Sequence, residues 1–368
     1  MRTILHYIFL TIISINMIVA SDLRIASLGG NAGFWPEDDQ NIMMFPSKIN
    51  DFNLAQIQDA AGKNPYATFI FGDRTKYGIM LDGNGDNLLN LAYGTGGLGL
   101  LFGFDLDGNN EYSLEDQPDD GPDYVERKPS SMALNAMVGL NNSLGEIGVG
   151  VNVMSSDNDN GNSNDDAGLL SLGLNLRREQ SLFVFSHLLV SANFGSGKME
   201  FIDEYYNETE QESYLDTSIL DISSLSLEAS LFRHWEIGSE TDVLFAAGFS
   251  YSSTGLGPDS VKLSQTDILF PNYTFAVETN IREWATLRAG VNNNHLLSST
   301  TSQEGSDQKL NVMGTTETTY SVGLGLEYEG FKLDLDLNPE FLTNPVHYIT
   351  GNNSNSGLAT KATVTFTF

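Results

Sequence analysis

Between Tyr66 and Phe368 the chain repeats one pattern, in which apolar and polar side chains alternate residue by residue over segment after segment. In the last segment Leu358, Thr360, Ala362, Val364, Phe366 and Phe368 share one face, while Ala359, Lys361, Thr363, Thr365 and Thr367 share the other. Upstream, Phe331, Leu333, Leu335 and Leu337 alternate with Lys332, Asp334, Asp336 and Asn338, and Ile147, Val149, Val151 and Val153 with Glu146, Gly148, Gly150 and Asn152. The pattern recurs from Leu170 to Leu176, Leu225 to Leu231, Tyr273 to Ile281 and Ala285 to Val291. Successive side chains of a strand point to opposite faces, so each segment builds a strand with one greasy and one wet face. Soluble strands are commonly ~5–6 residues long. Many of these reach the ~9–11 residues of a tilted membrane strand.

The connections alternate as well. Short turns fall at 141–143, 178–180, 236–239, 282–283 and 329–330, and long polar connections near 106–129, 155–165, 195–217, 254–267, 294–316 and 339–357. Membrane barrels have short periplasmic turns and long extracellular loops. The expected fold is therefore all-β: a transmembrane antiparallel barrel of about fourteen strands covering 66–368, with both ends periplasmic. Residues 87–105 are counted as one strand with a bulge at Gly94 to Gly97, a turn there being the alternative. Residues 82–86 are read as a periplasmic hairpin. Residues 21–65 lack the alternation and are assigned as an N-terminal periplasmic or plug segment.

Composition fits this architecture. A mean hydropathy of −0.17 excludes a helical membrane bundle but suits strands whose two faces average out. The start, Met1-Arg2-Thr3 followed by an apolar run to Val19 and then Ala20-Ser21, predicts a signal peptide over 1–20 with cleavage after Ala20. No cysteine is present, so there is no disulfide framework. The formal charge of −30 argues against a nucleic-acid partner, which needs a basic face. Catalytic signatures such as G-x-S-x-G and H-E-x-x-H are missing, and His187, His234, His295 and His347 are scattered, so no enzyme is expected.

Within 21–65, Arg24-x-x-Ser27-Leu28-Gly29-Gly30, then Asp38-Asp39-x-Asn41-Ile42 and Phe45-Pro46, resembles the opening of FadL-like and PorV-like outer-membrane barrels. Those families begin with a Gly-rich segment, an acidic pair and an Asn-Pro motif, in whose place this chain has Phe45-Pro46. The resemblance implies a fourteen-stranded barrel in the bacterial outer membrane. It also implies either uptake of small, hydrophobic molecules or a plugged scaffold that holds a protein partner.

Candidate sites follow from the wet faces and the loops. Glu146, Glu228, Glu278, Arg288, Glu327, Lys332, Asp334, Asp336 and Lys361 are placed on the lumen side, where charged groups set ion preference or lock a plug by salt bridges. Asp105, Asp107, Asn109, Glu111 and Asp116 carry the spacing of an EF-hand-like Ca²⁺ loop, with Asn110 at the turn-glycine position and Asp116 in place of the closing glutamate. A solvated acidic loop is the other reading of that stretch. The expected partners are outer-membrane lipid, the barrel-assembly machinery through the strand ending at Phe368, and a small-molecule substrate. The leading expectation is passage of small molecules, with a plugged binding or scaffold barrel as the alternative. A mobile 21–65 segment favours the first, and a packed one the second.

Overall fold

A computed structural model describes residues 23–58, 65–82, 88–108, 128–159, 163–207, 212–258, 262–303, 309–338 and 359–368. The predicted signal peptide lies outside these residues.

Among the described residues, seventeen strands form one antiparallel sheet. The first five are β1 (Leu54–Gln58), β2 (Tyr66–Phe71), β3 (Thr75–Asp82), β4 (Leu89–Thr95) and β5 (Leu98–Gly108). The next four are β6 (Lys128–Asn142), β7 (Gly145–Asp159), β8 (Ser163–Leu182) and β9 (Phe185–Asn207). Then come β10 (Glu212–Ile237), β11 (Thr241–Gly257), β12 (Leu263–Arg282) and β13 (Ala285–Gln303). The last four are β14 (Lys309–Val312), β15 (Thr315–Tyr328), β16 (Phe331–Leu337) and β17 (Ala359–Thr367).

The ring closes where β1 pairs with both β17 and β2, Gln56 standing between Thr365 and Thr68. Because β13 continues to β15 while β14 pairs with β13 higher up, the wall has 16 strands with β14 outside it. The expected count of about fourteen is corrected in two places. Residues 87–105 hold two strands, since β4 turns at Gly96-Gly97 into β5, and β1 arises inside the stretch assigned as plug. The parity switch at Gly94 to Gly97 marks a hairpin, not a bulge. With β1 added, β3 ends and β4 begins at the long-connection end, so the 82–86 connection is not at the short-turn end as expected.

Four of the expected long loops are largely sheet. The β7–β8 ladder runs on to Asp159 and Asn164, β9–β10 to Asn207 and Glu212, β11–β12 to Leu256 and Leu263, and β12–β13 to Leu263 and Gln303. Their polarity marks a change in side-chain chemistry along the wall, not where the ladder ends. The wall is consequently uneven: β1 to β5 run 5 to 11 residues, and β8 to β13 run 17 to 26. At ~3.4 Å per residue even a steeply tilted strand of the longer kind outruns a hydrocarbon core of ~30 Å.

The greasy faces point outward. Val149, Val153, Leu172, Leu227, Phe275 and Val364 are exposed on the outer surface, while their alternates face the lumen. A belt of this kind is tolerated against lipid and not against water. Aromatic rings gather at the short-turn end, where Phe331 meets Phe366 at 4.8 Å and Phe69 meets Phe368 at 5.9 Å.

Candidate functional site

Residues 23–53 fold inside the ring as a floor near the short-turn end. A five-residue helix, α1 (Leu23–Ser27), is followed by 3-10 turns at Ala32–Phe34, Asp39–Met43 and Pro46–Asp51. Each turn has a local cause. Asn31 accepts from the Gly33 amide at 2.9 Å, Asp38 accepts from the Gln40 amide at 3.0 Å, and Pro46 opens the third turn with its φ already set. Asn41 ties the turns together by donating to the carbonyls of Trp35 (2.6 Å) and Asp38 (3.0 Å).

Two apolar clusters seat this floor. Ile25, Leu28, Phe34, Trp35 and Phe45 pack on Leu189, Phe232, Leu244, Ala246 and Ala276. Ile42 and Ile49 pack on Leu54, Ile70, Met80, Ala92, Leu101 and Met137. Where plug backbone meets wall, the wall residue is glycine. A Cβ at Gly290 would lie 2.5 Å from the Gly29 nitrogen, and at Gly99 and Gly148 it would collide with the carbonyls of Pro46 and Met44.

Ionic contacts fix the floor on two sides. Arg24 donates two hydrogen bonds to Glu278 of β12, at 3.0 and 2.8 Å, and also pairs with Asp38. Glu278 in turn accepts from Arg288 of β13 at 2.6 Å, Arg288 pairs with Asp334 of β16, and Lys332 reaches Asp334 at 3.6 Å. Arg288 crosses β15 to do so, in space left by Gly325, where a Cβ would stand 2.6 Å from its Nη2. Three cations and three carboxylates alternate along this ladder, so it carries no net charge. Burial works against the charge on Arg24, but its hydrogen bonds to Glu278 and the neighbouring carboxylates outweigh that and hold its pKa above the ordinary arginine value.

Across the lumen, Arg177 of β8 is the second anchor. It pairs with Glu146 of β7, donates to the Gly33 carbonyl at 3.0 Å and to the Asn41 amide oxygen at 2.7 Å, and lies over the Phe45 ring at 4.7 Å. Lys48 approaches Glu146 at 3.6 Å. Between the anchors, His234 of β10 places one ring nitrogen 2.7 Å from the Phe34 carbonyl and the other 2.8 Å from Asp242. Trp35 meets the His234 ring edge-on at 4.7 Å.

Of the residues expected in the lumen, Glu146, Glu278, Arg288 and Asp334 come together at the plug. Lys332 sits beside them, and Glu327 lies opposite it at the short-turn rim. Asp336 and Lys361 are cross-strand partners higher on the wall. Glu228 stands apart. It faces inward on β10, in register with Ser191 and Ser250, yet is exposed, as is inward-facing Asn193 on β9. The described side chains thus leave space around Glu228 and Asn193 above the plug.

Asp105 and Asp107 belong to β5, with Asp105 on the face that Leu101 and Gly103 turn inward, and Asn109, Glu111 and Asp116 are outside the described residues. No metal-holding group of side chains occurs among the described residues. Arg177, Lys48 and His234 were not singled out from sequence. For Arg177 the signal is its place in the inward series Ser171, Gly173, Asn175, Arg177 of β8, where an arginine must find a partner.

No family model matches the chain, and no curated protein does. In structure it is similar to the CymD monoaromatic hydrocarbon channel, at 12% identity over 96% of this chain and 98% of that one, with a TM-score of 0.35. It is similar to the P. putida toluene transporter TodX, at 9% identity over 90% and 94%, with a TM-score of 0.28. The ferric-catecholate import receptor Fiu from E. coli K12 matches at 9% identity and a TM-score of 0.37, over 78% of this chain and 54% of that one. The chain thus spans about half of Fiu's length. At such identities and TM-scores the reading of the site rests on its own residues.

Proposed function

We propose that this protein is an outer-membrane barrel that takes small molecules into its open upper lumen and passes them through a floor controlled by the plug. The observation that supports this reading is that the lumen has space around Glu228 and Asn193 and is closed below by a separate segment held through side chains. On this reading the short-turn end is periplasmic, the outer belt meets lipid, and the strand ending at Phe368 addresses the barrel-assembly machinery. The chemistry is binding and passage, with no catalytic step.

Solute entry into proteoliposomes tests it. Vesicles holding the folded barrel are expected to swell in glycerol or urea faster than empty vesicles. An Arg24→Ala/Arg177→Ala variant, with both anchors cut, is expected to admit sugars as well. If neither protein admits any solute while both remain folded, the reading is wrong.

A plugged binding or scaffold barrel is the second reading, favoured by the packing of Trp35, Phe45 and Ile49, each at most 1% exposed. It gains if crosslinking in native membranes recovers one stoichiometric partner and no flux is found.

A further inference from the structure

The plug turn Ala32–Phe34 is held by two wall side chains on successive carbonyls. Arg177 of β8 donates to the Gly33 carbonyl at 3.0 Å, and Nε2 of His234 on β10 stands 2.7 Å from the Phe34 carbonyl. The two contacts differ in kind, since a guanidinium keeps its charge across the physiological range and an imidazole does not. Nδ1 of the His234 ring stands 2.8 Å from Oδ2 of Asp242 on β11, so the ring bridges two acceptors, one on the plug and one on the wall. Phe34 and His234 both pack on Phe232, and Trp35 meets the imidazole edge-on at 4.7 Å, which sets the bridge in an aromatic seat.

Two hydrogen bonds need two protons. One must lie between Nδ1 and Asp242, on either atom, and one must be on Nε2 to reach the Phe34 oxygen. A neutral imidazole beside an ionised carboxylate holds only one. The carboxylate side keeps it, because an N–H donated to a charged acceptor is the stronger bond. Nε2 is then left with a lone pair facing the Phe34 carbonyl. Two acceptors at that distance repel, and the buried carbonyl loses its donor.

The other charges around the pair have partners of their own or face outward. Asp242 stands in register with Glu278 of β12, which is tied to Arg24 and Arg288, and with Glu236 of β10, which is exposed. Arg177 pairs with Glu146 of β7. On β9, His187 stacks on Phe232 at 4.9 Å and stands opposite Glu179 of β8. The plug brings Arg24, over Trp35 at 5.2 Å, with its partner Asp38, and exposed Glu37. We infer that His234 and Asp242 form a proton-operated latch on the plug, shut while the pair holds two protons and released at the Phe34 carbonyl when it holds one. The seated floor binds one proton more than the released floor, so acid favours seating and alkali favours release. Histidine changes charge between about pH 5 and 8, and the latch works in that window. This inference rests on the passage reading for its purpose, which is to set when the floor gives way.

Acrylamide quenching of Trp35 fluorescence tests the latch without calling on solute flux. The chain has three tryptophans, and Trp235→Phe with Trp284→Phe leaves Trp35, 1% exposed, as the reporter. In that folded barrel the quenching constant should rise roughly three- to tenfold from about pH 5.5 to about pH 8, one linked proton allowing up to about tenfold per unit. Asp242→Asn is the decisive variant. Its amide donates to Nδ1, so a neutral ring keeps its one proton on Nε2 for Phe34, and Trp35 should stay shielded at both pH values. His234→Phe keeps the aromatic seat without either hydrogen bond and should give one value at both. A parent barrel whose quenching ignores pH, or a step that survives in Asp242→Asn or His234→Phe, overturns the latch. Glycerol swelling at the same two pH values separates the readings. Entry without a quenching step removes the latch and leaves passage intact, whereas a step without entry at either pH removes passage and leaves the latch on a plugged barrel.

Discussion

The short-strand side of the barrel and the long-strand side use their inner faces differently. On β2 and β3 the plug-facing apolar side chains Ile70 and Met80 are buried, and the wall rises little above them. On β8–β13 the plug occupies only the lowest inward positions, such as Arg177, Leu189, Phe232, Ala276 and Arg288. Above them come serines, asparagines and Glu228. One side is a socket and the other a socket with a chamber on top. The contacts differ to match: close packing on the short side, and partly buried charge plus aromatic contact on the long side. Strand length alone decides whether a wall has inner surface to spare.

That contrast can be broken by mutation, starting with the largest effect. Arg177→Ala leaves the Glu146 carboxylate without its main partner and is expected to cost about 3–5 kcal/mol of stability, read from unfolding in denaturant. It should also expose the plug to protease. A loss below 1 kcal/mol would mean that the long side is held by packing alone. Ile49→Ala, on the short side, should cost about 2–4 kcal/mol as a core cavity, with the floor still anchored at Arg24 and Arg177. Gly99→Ala pushes a methyl against the Pro46 carbonyl and should cost about 1–3 kcal/mol. Equal stability for that variant would show the plug sitting higher in the barrel. Smallest of all, Glu228→Gln in the chamber should change stability by less than about 0.5 kcal/mol. A large change in Tm there would show that the chamber is filled.

Much of this was legible in the sequence, and what was lost had physical reasons. Alternation separated the two faces on β7 and β17, where Val149 and Val364 face out and Glu146 and Thr363 face in. It failed at β1, which is five residues long and sits beside a plug with no period. It failed again at Gly96-Gly97, where a hairpin and a bulge produce the same shift of parity. Composition misled at the upper wall, because a strand outside lipid can be polar on both faces and still pair. The anchors were half visible. Glu278, Arg288 and Asp334 were recognisable as charges on a wet face, but Arg24 lies 254 residues from Glu278, and no local spacing announces such a pair. Arg177 was passed over beside the turn that follows it.

The closure of the ring has a consequence for how the molecule is made. β1 is the first strand of the sheet in chain order and β17 the last, and the Phe368 amide reaches the carbonyl of Asn53, the last residue of the plug, at 3.4 Å. The wall cannot seal until the final residues arrive, and pairings this distant in sequence form slowly. The plug, continuous with β1, is therefore available from the outset while its container is still an open sheet. It has no need to be threaded into a finished cylinder; the cylinder can be wrapped around it. In that order the floor is a template for closure, and variants that loosen it should accumulate as unsealed sheets before they appear as leaky barrels.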